Sequence, residues 1–188
     1  MERELRWKEV SSKQLFKDKW IDIKENTYSK ADGSLITPFY IYNFPDFATA
    51  VALTKDNQVI LERTYRPGIG KVCIELPGGC VDKADPSLEY AMTRELLEET
   101  VYRFEKIEYL GEISPNPTTN TNMMRMFLAT GGEFDSNQEL DIAEDVEVFL
   151  VPLEEFIQMV KNNQFVQAMQ LATIVFALQK MGILKIGQ

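Results

Sequence analysis

An α/β fold, a mixed β-sheet with helices packed on it, is predicted by three features of this chain. Strand-like runs fill its first half, one sharply bounded helix follows a Pro-Gly-Gly turn, and strands return before two closing helices. A length of 188 residues suits one domain with a sizeable core. The expected division is an N-terminal β extension over residues 1–45 and a main domain over 46–188.

Each element has a local reason. From Trp7 to Asn43 the pattern is of short strands, with Lys30-Ala31-Asp32-Gly33 as a hairpin-type turn. Phe39 to Phe44 and Phe47 to Thr54 carry aromatic and β-branched residues, and Pro45-Asp46 separates them. Asn57 to Thr64 and Val72 to Leu76 continue the strands, and Pro77-Gly78-Gly79 ends the run. A helix is expected next, capped by Asp85 with Pro86 in its first turn, reaching about Thr100. Strands are expected again over Phe104 to Ile113, Met123 to Thr130 and Val146 to Pro152. Helices over about Leu153 to Lys161 and Phe165 to Met181 close the chain, the last ending before Gly182. Gln167, Gln170 and Gln179 interrupt the apolar character of that last helix, so it reads as a core helix and not a membrane anchor.

Composition narrows the chemistry. A net charge of -9 disfavours general binding to nucleic acid or anionic membrane, since both are polyanions. It suits solubility and the collection of divalent cations. Histidine is absent, which excludes His-based triads, His-ligated zinc and haem, and His general bases. Acid–base work must fall on carboxylates, Lys, Tyr or Cys. Cys73 and Cys80 form neither a disulfide framework nor a zinc ligand pattern. Met-Glu-Arg-Glu-Leu-Arg opens the chain with charge and no apolar run behind it, so a cytoplasmic location is expected.

One segment carries reaction chemistry. Glu95, Glu98 and Glu99 stand at i, i+3 and i+4, which puts three carboxylates on one helical face. Like charges so spaced repel, and a hard divalent cation such as magnesium or manganese removes the repulsion by binding carboxylate oxygens. A solvated Glu-rich helix face is the plain alternative. Arg94 can pair with one of these carboxylates and fix its rotamer. Gly78 and Gly79 let the backbone pass close to the helix, so that a carbonyl can join the metal or an N–H can meet a phosphate.

Glu75-Leu76-Pro77-Gly78-Gly79 followed by Arg94-Glu95-Leu96-Leu97-Glu98-Glu99 resembles the Nudix box, G-x5-E-x7-R-E-U-x-E-E-x-G-U, where U is a large apolar residue. The Arg94–Glu99 core matches without exception. Six residues after Gly79 comes Asp85, but Arg94 then lies nine further on; eight before Arg94 stands Pro86. Either the loop is one residue longer or the first Glu is lost. Val101 stands where the pattern has Gly, and a β-branched residue resists the left-handed conformation that commonly ends a helix.

The resemblance covers most of the chain and is nearest to the ADP-ribose pyrophosphatases of that superfamily. Thr64-Tyr65-Arg66-Pro67, the Pro-containing Ser114-Pro115-Asn116-Pro117, and Glu144-Asp145-Val146-Glu147-Val148 with Val151-Pro152-Leu153-Glu154 carry it. Thr118-Thr119-Asn120-Thr121-Asn122 stands where that subfamily has an acidic residue.

The resemblance implies a Nudix-type α/β/α sandwich, a homodimer built through the N-terminal strands, and metal-dependent hydrolysis of the diphosphate of a nucleoside diphosphate sugar resembling ADP-ribose. The products would be a nucleoside monophosphate and a sugar phosphate. Gly78, Glu95, Glu98 and Glu99 would hold Mg2+ or Mn2+. Arg66, Glu75 and Gly79 are candidate substrate contacts, with a surface ion pair as the other reading of Arg66. Arg94, Glu98 and Glu144 are the candidate catalytic residues, Glu144 as general base or water-positioning group with Glu139 as runner-up. Trp7, Trp20, Phe39, Tyr40 and Tyr42 offer rings for a base, though core or hairpin packing suits each. Met123, Met124 and Met126 read as strand filler. The alternatives are a nucleotide-binding protein that kept the fold without turnover, and a hydrolase of nucleoside triphosphates or dinucleoside polyphosphates.

Overall fold

The computed structural model describes residues 4–18, 21–135, 146–185 and 187. The chain divides into two compact units, Met1–Pro45 with Ser114–Asn122, and Asp46–Ile113 with Met123–Gln188.

The first unit is an antiparallel sheet of β1 (Lys8–Lys17), β2 (Asp22–Ser29) and β3 (Leu35–Tyr42) in that order. The Lys30–Gly33 turn forms as expected: Gly33 donates its N–H to the Lys30 carbonyl at 3.0 Å, with φ at +81°. Trp7, Tyr28 and Phe39 meet with ring centroids 5.6 to 6.1 Å apart. Two of the aromatic candidates therefore pack against each other. Segment 114–122 is tied to the end of β3, because Tyr42 donates to the Thr119 carbonyl and accepts from Thr121 N–H.

The second unit follows with β4 (Phe47–Thr54), β5 (Gln58–Arg66), β6 (Lys71–Glu75), α1 (Leu88–Thr100), β7 (Tyr102–Arg103), β8 (Lys106–Ile113), β9 (Met124–Phe134), β10 (Val146–Pro152), α2 (Leu153–Lys161) and α3 (Ala168–Lys180). Its sheet runs β10-β5-β4-β9-β7, with β6 also paired to β5 and β8 to β9. Only the β4–β9 pair is parallel among these described strands, so the sheet is mixed.

Alternation along the strands sorts the side chains into two layers. Val51, Leu53, Val59, Leu61 and Leu128 pack with Phe156 of α2 and with Ile174 and Leu178 of α3. Ala48, Ala50, Ala52, Ile60, Phe127 and Ala129 pack with Met92 and Leu96 of α1. Helices on both faces make the α/β/α sandwich. The small Ala48, Ala50 and Ala52 on the α1 side add little bulk beneath that helix.

The start of α1 corrects the expectation. Ser87, not Asp85, is the N-cap: its φ of -153° and ψ of 165° are extended, and its hydroxyl accepts from the Tyr90 N–H at 3.1 Å. The Asp85 carboxylate is engaged elsewhere, by Arg94. The end of α1 also departs from the expectation, since Val101 adopts φ +57° and ψ +26° and donates its N–H to the Leu97 carbonyl. The helix thus closes in the left-handed conformation despite the branched side chain, which is buried at 7% exposure. Elsewhere the boundaries shift by a few residues: the third strand runs over Leu35–Tyr42, Phe104 lies between β7 and β8, β9 extends to Phe134, and α3 begins at Ala168.

Replacing the cap tests this assignment. Ser87→Ala should lower the free energy of unfolding by about 1 kcal/mol in urea titrations. A change within about 0.2 kcal/mol would place the cap elsewhere.

Candidate active site

α1 lies against the sheet through Met92 and Leu96, which leaves Glu95, Glu98 and Glu99 on its flank. Arg94 organises them. Its Nη1 donates to Glu95 Oε1 and to Glu98 Oε2, both at 2.9 Å. Its Nη2 donates to Asp85 Oδ2 at 3.0 Å and to the Cys80 carbonyl at 3.1 Å. One guanidinium therefore joins the loop after the glycine turn to two of the three helix carboxylates. The Asp85 hydrogen bond, then Glu95 and Glu98, push the Arg94 pKa up. Arg94 in turn holds the Asp85 carboxyl below its usual range, helped by the Asp82 N–H. A carboxyl so lowered stabilises the fold above its ordinary range, and that stabilisation is lost as pH falls through its folded value. Asp85 is thus the acidic partner of Arg94 from the loop before α1.

The glycine turn is shaped by close approach. Pro77 and Gly79 accept from the N–H groups of Ala50 and Ala48 at 3.2 and 2.9 Å, so the turn runs along β4. A Cβ at Gly78 would lie 2.2 Å from the Ala48 carbonyl oxygen, and φ there is +153°. A Cβ at Gly79 would lie 2.3 Å from Glu95 Oε2. Gly78 donates its N–H to Glu99 Oε2 at 2.7 Å. That amide was expected to face a phosphate, or its carbonyl a metal; in this structure the N–H holds a carboxylate of the helix.

A second group sits at the end of β6. The Glu75 carboxylate, 3% exposed, accepts from Arg66 Nε and Nη2 at 2.8 and 2.7 Å. Arg66 keeps 53% of its side chain exposed. It is therefore an ion-pair partner that still presents charge outward, and the Glu75 hydrogen bond raises its pKa. Gln170, from α3, donates to the same carboxylate at 3.1 Å.

Sequence reasoning missed Gln170, Asp46 and Ser87. Gln170 was noted only as a polar interruption of an apolar helix, and a lone amide on a buried face is the signal that could have found it. Asp46 was noted only as a strand breaker. Its carboxylate accepts from Met123 N–H and from Arg125 Nη2, each at 2.8 Å, and its carbonyl accepts from Val81 N–H at 2.8 Å. It thus ties the segment after the glycine turn to the start of β9. Arg125 also pairs with Glu112. Glu144, Glu139 and Trp20 lie outside the described residues. A surface cleft of about 460 Å³ lined by Arg63, Phe149, Glu155 and Gln158 includes none of the expected site residues.

The donor chemistry fits a hard divalent cation. Glu95, Glu98 and Glu99 offer carboxylate oxygens on one helix flank, and the absence of a side chain at Gly79 leaves the space that the Glu95 carboxylate fills. Among the described residues, three acidic side chains are not already drawn together as a ligand set; Glu95 and Glu98 share Arg94 instead. No helix of the described residues is long and apolar enough to cross a membrane.

The chain resembles several known proteins over most of its length. The chain is 26% identical over 167 residues to the ADP-ribose pyrophosphatase of Bacillus subtilis, covering 88% of this chain and 89% of that one. It is 25% identical over 158 residues to the methanol dehydrogenase activator of Bacillus methanolicus, covering 84% of each. It is 26% identical over 153 residues to the GDP-mannose pyrophosphatase of Escherichia coli, covering 75% and 70%. Among solved structures, an ADP compounds hydrolase superposes with a TM-score of 0.82 over 97% of this chain and 100% of that one, at 18% identity, and so shares the fold. The NUDIX domain family matches residues 45–170, two-thirds of the sequence and the stretch that holds Arg66, Glu75, Gly78, Gly79 and the Arg94–Glu99 run, and the chain belongs to the Nudix hydrolases.

Proposed function

We propose that this Nudix hydrolase cleaves the diphosphate of a nucleoside diphosphate sugar, ADP-ribose or a close analogue, with magnesium or manganese, to give a nucleoside monophosphate and a sugar phosphate. The observation that carries the reading is the glycine turn packed against α1, with Gly79 against Glu95 and the Gly78 N–H on Glu99. Two relatives, a pyrophosphatase of ADP-ribose and one of GDP-mannose, support the substrate class, since both compounds are nucleoside diphosphates joined to a sugar.

Glu95, Glu98 and Glu99 would hold the cation, with the Gly78 carbonyl as a further oxygen donor. When bound, such a cation offsets the charge of the diphosphate and lowers the pKa of water. Arg94 fixes the rotamers of Glu95 and Glu98, and the Gly78 N–H fixes Glu99. Arg66 presents a half-exposed guanidinium able to meet a phosphate or ribose oxygen, held in place by Glu75. Glu144 is the proposed base. It takes the proton from the attacking water as the new oxygen–phosphorus bond forms, and the bridging oxygen–phosphorus bond breaks toward the leaving phosphate. A helix end that Val101 could not close would favour a binding protein without turnover; Val101 closes it in the left-handed conformation. Homodimer formation through the N-terminal strands is supported by β1, which is exposed throughout and carries the apolar Val10, Leu15 and Phe16.

The two glycines should respond differently to substitution. In Gly78→Ala the new methyl meets backbone, so the variant should unfold at markedly lower temperature. In Gly79→Ala it meets the end of a flexible side chain, so the melting temperature should barely move. Turnover should nevertheless fall by on the order of 10² as Glu95 is displaced. Full activity in a folded Gly79→Ala protein contradicts the site.

Charge removal at constant size tests the carboxylates. Glu98→Gln and Glu99→Gln should each fold normally and lose turnover of ADP-ribose by orders of magnitude. Wild-type rates in both would sink the proposal.

Glu144→Gln should lower kcat by roughly 10² to 10⁴ while substrate affinity stays nearly constant, as for a lost general base. Should Glu144→Gln turn over normally and Glu139→Gln be inactive, the role passes to Glu139; activity in both removes this segment from the chemistry.

A further inference from the structure

Strand β6 ends in a place where backbone polar groups are buried. Leu76 is 2% exposed and lies one residue beyond the strand, so ladder partners for its N–H and carbonyl have run out. Gln170, reaching from α3 and itself 5% exposed, supplies them. Its Oε1 accepts from the Leu76 N–H at 2.9 Å, and its Nε2 donates to the Leu76 carbonyl at 3.4 Å. The amide thus acts as one more residue of a strand. The same Nε2 donates to Glu75 Oε2 at 3.1 Å, the oxygen that also accepts from Arg66 Nη2.

Two routes lead from this amide toward the reacting groups. Through Glu75 it bears on Arg66, whose bidentate pairing depends on the orientation of that carboxylate. Through Leu76 it bears on Pro77 and Gly78, two residues on, where the N–H holds Glu99. A side-chain primary amide is suited to both tasks, because it alone offers an acceptor and a two-proton donor in one plane. Leu or Met would fill the volume and perform neither task.

We propose that Gln170 is a positioning residue: it fixes the turn that carries Gly78 and the carboxylate that aims Arg66, and so couples α3 to both sides of the site. It rests on the proposed hydrolysis for its kinetic consequences but on the hydrogen-bond pattern for its structural ones. Gln170 touches neither substrate nor cation in this account. A purely structural role would lower thermal stability and leave the kinetics of the folded protein unchanged.

The test compares the full chain with Gln170→Leu and Gln170→Glu. Thermal unfolding and amide hydrogen exchange are followed without metal, and hydrolysis of ADP-ribose with magnesium. In Gln170→Leu, exchange at Leu76 and Gly78 should quicken at least about tenfold while core amides such as Phe127 keep their wild-type protection. KM should rise and kcat should fall, each by roughly tenfold. Gln170→Glu keeps an acceptor for the Leu76 N–H and loses the donor to Glu75, so KM should rise more than kcat falls; this variant carries the test should Gln170→Leu fail to fold. Kinetic constants within twofold of wild type in a folded variant overturn the proposal, as does exchange that quickens uniformly over the chain. Should the wild-type chain leave ADP-ribose uncut, the proposed activity fails by itself, and the exchange pattern still decides whether Gln170 positions the turn.

Discussion

The second unit depends on how closely the Pro77-Gly78-Gly79 turn can approach its neighbours. On one side the turn hydrogen-bonds along β4, leaving no room for a side chain at Gly78. On the other the Glu95 carboxylate fills the space a side chain at Gly79 would take. A methyl at Gly78 would meet the backbone of β4 and push the turn off the strand, a shift that interiors packed to crystal-like density do not absorb locally. At Gly79 the end of a side chain would give way instead. The small Ala48, Ala50 and Ala52 belong to the same constraint, since they line the sheet face on which α1 rests.

From that contact the charges acquire their order. Three carboxylates on one helix flank repel, and so weaken the helix. Arg94 relieves part of this by pairing with Glu95 and Glu98, while the Gly78 N–H takes Glu99. Asp85 completes the arrangement by holding Arg94 from the loop side. The acidic flank is thus organised by one guanidinium, one backbone amide and one loop acid. The amide belongs to the glycine turn and the acid to the loop after it, while the guanidinium stands on α1 itself.

Much of this was legible in the sequence because it is periodic or local. Phe47–Thr54, Val146–Pro152 and Leu153–Lys161 form the elements their hydrophobic patterns predict, with the same boundaries. Carboxylates at i, i+3 and i+4 share a flank by helical geometry alone. What sequence could not show was choice between equivalent candidates. Asp85 and Ser87 are both good caps, and only the pull of Arg94 on Asp85 decides between them. Val101 enters a left-handed conformation where the chain leaves α1 for β7, its carbonyl accepting from the Asp135 N–H, and no pattern in the residues foretells that in a branched side chain. Gln170 and Asp46 act over about 95 and 77 residues of sequence, distances at which no local pattern carries information. The role of Glu144 rests on sequence resemblance alone.

The central claim is that the carboxylates of α1 serve cation-assisted cleavage of a nucleoside diphosphate sugar. The most direct measurement is chromatographic detection of AMP and ribose 5-phosphate after incubating the wild-type chain with ADP-ribose and magnesium, with a parallel sample containing excess chelator. The account predicts equal amounts of the two products with magnesium and none with chelator. Intact ADP-ribose in both samples, or equal cleavage in both, would contradict it.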